Sequence, residues 1–287
     1  MSKTVVRLLS AVATFEGEGV AIHRAFPSPS LNWLDPFLLL DEMGPYELEP
    51  GDANGFPTHP HRGFETVTYL LSGEMEHRDS AGGHGVLGPG DVQWMTAGAG
   101  LVHSEMPGCR LMREGGVLHG FQLWVNLPRA SKMTPPKYQE LPAHEIPSTC
   151  SAGGAVTVKV IAGEALGVSA KIRTHTPMCY LHFTLAPGAE HVQSLPQGFN
   201  TFVYIVDGTV AVGERESKAE PQTLAIFSRE GEAIRLANPG DIPANLLLVG
   251  GEPIGEPVAR HGPFVMNTHD ELVRAFEDFR SGRMGSL

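Results

Sequence analysis

This chain lacks long hydrophobic runs. No stretch approaches the roughly 18 to 20 consecutive apolar residues that cross a bilayer as a helix, so no membrane-spanning helix is expected. The N-terminal MSKTVVRLLSAVATFEGEGV has a short apolar run, no strong basic region, and Glu16 and Glu18 close behind. It does not read as a secretory signal. Cysteine is scarce: Cys109, Cys150 and Cys179 are odd in number, far apart and without metal-type spacing. That argues against a disulfide scaffold and for a reducing compartment, the cytoplasm, or the nucleus in a eukaryote. Positive charge is in deficit, with 21 Lys and Arg against 32 Asp and Glu and a formal net charge of −11. A field of that sign repels phosphate, so direct nucleic-acid binding through a broad basic face is disfavoured. Phosphate loop, dinucleotide fingerprint and nucleophile elbow are all missing.

Turn-forming residues are abundant. The 34 glycines and 23 prolines are spread along the chain rather than pooled, and 41% of residues are hydrophobic. Short strands between turns are the natural reading, and the predicted class is all-β. ETVTYLL (65–71), EMEHRDS (74–80), LVHSEMP (101–107) and HGFQLWVNLP (119–128) are strand candidates in the first half. LPRASKMTPPKYQELPAHEIP (127–147) reads as a connector, which suggests domains at 1–132 and 133–287. Strands resume after it. Only THDELVRAFEDFRSG (268–282) looks helical: Thr268 and Glu271 form a capping box, and Leu272, Ala275, Phe276 and Phe279 share one face.

A weak repeat links the halves. GFETVTYLLSGEM (63–75) aligns with GFNTFVYIVDGTV (198–210), 135 residues later, as two copies of one barrel module would. The alignment sets Ser194 against His59 and Pro196 against His61. Neither replacement is a useful metal ligand, and REGEAIRLAN (229–238) contains no His. One metal per chain is expected, in the first half. The second module is expected to be filled by Phe202, Tyr204 and Val206 or by their alternate neighbours.

The chemistry concentrates in THPHRGFE (58–65) and AGLVHSEMP (99–107). Alternate residues of a strand share a face, so His59 and His61 point together, as do His103 and Glu105; Glu65 keeps the parity of the first pair. Three imidazoles and a carboxylate, without thiolate, suit Fe(II), Mn, Co, Ni or Zn, and such a set leaves positions open for water, substrate or dioxygen. His77 is either a pocket acid or base, or a hydrogen-bonded barrel residue. Phe56 is either a contact for an aromatic substrate or core. Trp124, alternating with Gln122 and Asn126, is either a stacking face for an aromatic substrate or core, and core is the better reading. His175, His182 and His191 read as scaffold, and Cys109 as a small buried residue.

HPHRGFETVTYLLSGEMEHRDSAG, GPGDVQWMTAGAGLVHSEMP and GFQLWVNLP resemble the pirin family of the cupin superfamily. The resemblance is nearly continuous over residues 56–128 and weaker to the tail. It implies a bicupin, with two β-barrels packed face to face, chain ends that cross between the halves, a short C-terminal helix docked on a barrel, and a metal only in the N-terminal barrel. It carries the ligand role onto His59, His61, His103 and Glu105 and leaves Glu65 as a pocket residue that assists catalysis beside Glu105. Iron as Fe(II) is the implied metal, with Mn, Co, Ni, Cu or Zn as substitutes, and a monomer is implied. Two activities are implied. Some pirins resemble quercetinases, which open flavonols with dioxygen and release carbon monoxide; others act as iron-dependent transcription co-regulators through a regulatory protein partner. The ligand motif does not separate them.

Overall fold

The computed structural model describes residues 1–52 and 54–287. The chain forms two compact units, and both are cupin barrels built almost wholly of strands. The units interleave in sequence. One comprises Val12–Pro27, Phe37–Ala143 and Ile254–Leu287; the other comprises Met1–Ala11, Ser28–Pro36 and His144–Pro253. They are therefore not the contiguous stretches 1–132 and 133–287. The reason is strand pairing. Val5–Ser10 pairs antiparallel with Thr223–Phe227, and Lys137–Leu141, inside the predicted connector, pairs with Val92–Thr96.

The first unit has a seven-stranded sheet in the order Lys137–Leu141, Val92–Thr96, Phe64–Ser72, Gly116–Asn126, Phe37–Leu48, Val20–Phe26, Val12–Glu16. A four-stranded sheet accompanies it, in the order Phe56–His61, Leu101–Pro107, Met75–Asp79, His84–Leu87. The second unit repeats the plan, with a seven-stranded sheet centred on Ala244–Gly251 and a four-stranded one. The repeat seen in the sequence is thus a repeat of structure. Its flanking glycines match in conformation: Gly63 and Gly198 have φ of 88° and 86°, and Gly73 and Gly208 have 88° and 73°. At Gly63 freedom at positive φ is needed twice over, because a Cβ there would fall 1.9 Å from the Val265 carbonyl oxygen.

The second unit packs Val203, Ile205, Phe183 and Leu248 at its centre. The inward residues of the strand Asn200–Asp207 are thus the alternate neighbours of Phe202 and Tyr204, which are fully buried as well. A cavity of about 720 Å3 opens beside this core, bordered by Cys179, His191, Gln193, Ser194 and Pro196.

The tail helix runs His269–Arg280 behind the predicted capping box, with Thr268 accepting from the Glu271 backbone N–H. It docks on the first unit. Leu272 and Ala275 pack with Val102, Phe264, Met266 and Met284, and Phe276 covers their edge. Phe279 docks only at its edge: its ring meets that of Phe264 at 6.3 Å, and it stays 38% exposed in the last turn of the helix. No helix among the described residues is long and apolar enough to cross a membrane. Leu272→Ala should lower unfolding free energy by about 2–4 kcal/mol and Phe279→Ala by less than about 1 kcal/mol. Thermal unfolding of the two variants checks this, and equal losses would contradict the docking.

Candidate metal centre

Two antiparallel strands carry the histidines. Phe56–His61 and Leu101–Pro107 pair with His103 opposite His59 and Leu101 opposite His61, and a register shift between His103 and Glu105 sets Glu105 opposite Phe56. The three rings converge. His59 Nε2 lies 3.0 Å from His61 Nε2 and 2.9 Å from His103 Nε2. Two nitrogens each about 2.1 Å from one ion and at right angles to each other are separated by about 3.0 Å, so these spacings fit a shared cation. His59 Nδ1 sits 2.7 Å from the Pro57 carbonyl oxygen. A carbonyl only accepts, so Nδ1 carries the proton and Nε2 keeps its lone pair for the centre.

Burial settles the charge state of the other two rings. His61 and His103 are almost wholly buried. Burial and then the neighbouring His59 push His61 well below the ordinary imidazole range, with the Pro263 carbonyl opposing. Burial, and then His61, His59 and His77, do the same to His103. Both are neutral rings, the form in which imidazole binds metal. The donor set therefore fits a divalent ion.

Glu105 stands at the edge of the triad, with Oε2 4.0 Å from His103 Nε2. It accepts a hydrogen bond from the Thr68 hydroxyl at 3.0 Å, and Gln122 Nε2 donates to both its oxygens at 3.3 and 3.1 Å. Trp124 Nε1 donates to Gln122 Oε1 at 3.1 Å. A relay of side chains thus orients the carboxylate from the far sheet.

The other expected residues divide. Phe56 borders a cavity of about 450 Å3 whose floor includes His59 and His61 and whose wall includes Gln122 and Trp124. Trp124, read from sequence as core, is 8% exposed; it meets His61 edge-on at 5.1 Å and lies against Phe64 at 4.3 Å. Glu65 is not brought to the triad. Thr68 faces Glu105, so strand alternation turns Glu65 to the opposite face of the sheet. There it accepts from the Thr96 hydroxyl at 2.6 Å. The parity argument fails because the chain bends at Arg62–Gly63 between the two strands. His77 lies across from Glu105, but its Nε2 is engaged by Glu140 at 2.9 Å. It does not border the cavity. Cys109 is exposed, not buried, and opens a short helix.

The bend is fastened from several directions. Lys132, 2% exposed, donates to the carbonyls of Gly63 and Val265 and to Asn126 Oδ1 at 2.8, 2.9 and 2.8 Å. Arg62 donates to the Ala99 carbonyl and pairs with Asp278 of the tail helix, both at 2.7 Å. Two features of the cavity escape the sequence reading. Arg24 forms a two-pronged pair with Asp41 at 2.8 and 2.6 Å and reaches Glu16 at 2.7 Å. Burial opposes its charge, but the two carboxylates outweigh it and raise its pKa. Arg260 lies over the Trp124 ring at 5.0 Å. Neither arginine belongs to a motif, and the residues each meets are distant in sequence.

Comparison with known proteins agrees with this geometry. The family described as Pirin matches residues 19–125, and the Pirin C-terminal cupin domain matches residues 180–285. Pirin of Mus musculus is 46% identical over 287 residues, which cover 99% of this chain and 94% of that protein. A solved quercetin 2,3-dioxygenase from Acinetobacter baumannii is similar with a TM-score of 0.93 and 39% identity, covering 100% of this chain and 99% of that one. The bacterial pirin YhhW of Escherichia coli, solved in complex with nickel(II), shares the fold with a TM-score of 0.67 at 21% identity, over 86% of this chain and 98% of that one.

His61→Ala should remove bound metal from reconstituted protein, measured by elemental analysis, while the circular dichroism of the strands is kept. Lys132→Met should cost about 3 kcal/mol or more, because each buried acceptor left bare costs about 1–3 kcal/mol. Burial also pushes the Lys132 ammonium down to about 7 from the ordinary 10.5. The folded state then binds fewer protons than the unfolded state between those values, so this contribution is greatest above 10.5 and is lost as pH falls through about 7. The stability gap between wild type and Lys132→Met should therefore widen as pH rises from neutral; denaturant titrations that give a constant gap would contradict it.

Proposed function

The chain belongs to the pirin family, and on that premise we propose that it is a mononuclear metal-dependent dioxygenase of quercetinase type acting on flavonols. The observation that carries the reading is the placement of converging imidazoles at the floor of a cavity walled in part by aromatic rings. His59, His61 and His103 would hold the ion through Nε2, with the Glu105 carboxylate as a fourth donor; Fe(II) is the proposed metal, and Mn, Co, Ni, Cu or Zn would suit the same donors. A cavity of about 450 Å3 falls within the roughly 300–1,000 Å3 range that takes molecules of this size. The A. baumannii structure, named as a quercetin 2,3-dioxygenase, supports the substrate class.

The bound ion supplies Lewis acidity that favours the anionic form of a substrate hydroxyl. The remaining work falls to side chains. Phe56 offers an apolar face to the ring system, and Trp124, packed against Phe64 beneath Arg260, closes the wall beside it and excludes water. Glu105 takes the proton given up by the flavonol 3-hydroxyl, and Gln122 and Thr68 hold the carboxylate in position to do so. Loss of the Gln122 amide would leave Glu105 less well oriented, so Gln122→Leu should reduce turnover more than it reduces metal content. Overall, one dioxygen is consumed and one carbon monoxide is released for each flavonol opened.

The decisive measurement is oxygen uptake with carbon monoxide release from quercetin, after reconstitution with each metal in turn. Turnover is expected with at least one metal and none with His61→Ala. Full occupancy by Fe, Mn, Co or Ni without oxygen uptake would refute the enzymatic reading and favour a metal-responsive regulator that acts through a protein partner.

A further inference from the structure

The cavity above the histidines contains four charged side chains, and three of them are accounted for. Asp41 gives both oxygens to Arg24, and Glu16 gives one to the same guanidinium. The fourth is Arg260. Its guanidinium lies 5.0 Å over the Trp124 ring, and one of its nitrogens donates to the Leu38 carbonyl at 2.9 Å. It forms no ion pair among the described residues. An arginine presents five N–H donors in a planar fork that matches a carboxylate. Here most of that fork is uncommitted, partly desolvated, and set at the wall of a cavity that also borders His59 and His61. Burial and then Arg24, like in charge, disfavour the Arg260 cation, and the Asp41 and Glu16 carboxylates offset only part of that. An anion entering the cavity would relieve both costs.

We propose that Arg260 selects a planar aromatic substrate bearing an anionic oxygen remote from the group that meets the histidines. The inference rests on the reading of this cavity as a flavonol-type site and narrows its substrate class. The ring system lies between Phe56 and the cavity wall formed by Trp124, and the distal acidic group, a carboxylate or an ionised phenol, is received by the Arg260 fork. Asp41 turns both its oxygens to Arg24 and makes no hydrogen bond to that fork. The arrangement makes Arg260 a specificity residue rather than a catalytic one.

The test is anaerobic binding to metal-loaded protein, followed by titration, with 3-hydroxyflavone and its 4′- and 7-carboxylates as probes. These share the metal-binding oxygens and differ in the distal charge. At least one carboxylate should bind about tenfold or more tighter than the parent, as one charge-assisted contact implies. Arg260→Gln should abolish that preference and leave the parent probe unchanged, and Arg260→Lys should restore part of it. No preference in wild type, or equal weakening of all probes by Arg260→Gln, would overturn the proposal; the latter would show that Arg260 merely supports Trp124. The two readings fail separately. A preserved carboxylate preference without oxygen uptake would sink the dioxygenase and leave the anion site standing. Oxygen uptake with Arg260→Gln binding every probe like wild type would sink the anion site alone.

Discussion

Three imidazoles, two of them held with Nε2 within about a hydrogen bond's length of the third, form an arrangement that side-chain entropy and lone-pair repulsion both oppose. The surrounding structure can be understood as what keeps them there. The register that sets His103 against His59 brings the rings together. The bend at Gly63 releases the chain from the ligand strand without disturbing it, and a lysine buried beneath that bend ties it to two neighbouring segments. Arg62 links the same bend to the tail helix through Asp278. A helix more than 200 residues away in sequence thus supports the metal strand, and its apolar face is the means by which it is kept in place.

Much of this centre was legible in the sequence because its residues repeat with the period of a strand. His59, His61, His103 and Glu105 each follow from two-residue spacing. Where the same rule was carried through a bend it failed: Glu65 keeps the parity of His61 on paper, yet Gly63 resets the direction and Glu65 meets Thr96 on the other face. The groups that orient Glu105 were hidden for a different reason. Thr68 and Gln122 come from neighbouring strands of the other sheet, and no local pattern reports which side chains meet across a barrel. Arg260 lay furthest from view, in a short strand after a proline- and glycine-bearing stretch without periodicity. The fold shows the same division. Glycine turns at matching positions revealed two copies of one module, whereas the exchange of terminal segments depends on pairings such as Val5–Ser10 with Thr223–Phe227.

The second unit shows what the module becomes without ligands. Its central strand keeps the inward Val203 and Ile205, and its flanking glycines keep their left-handed turns. The mouth differs. Where the first unit presents imidazoles, the second presents Ser194 and Pro196 beside a cavity. His191 there stacks on Phe183 and contacts Gln193. The scaffold tolerates this change because the strands are held by backbone pairing and by their inward aliphatic residues, neither of which requires a ligand at the rim.

The interleaving of the two units bears on how the protein is made. A ribosome releases the chain from its N-terminus, so Val5–Ser10 emerges more than 200 residues before the strand it pairs with. The first eleven residues must wait, unpaired, through the synthesis of nearly everything else. The metal-bearing unit waits as well: its seven- and four-stranded sheets are complete once residue 143 has emerged, but Phe264, Met266 and the tail helix, which cover Val102, follow only after residue 253. The metal-bearing unit cannot be finished until the other has been translated, because its last part, Ile254–Leu287, follows Pro253 of its neighbour, and the histidine cluster gains the support of the tail helix only once those residues have left the exit tunnel.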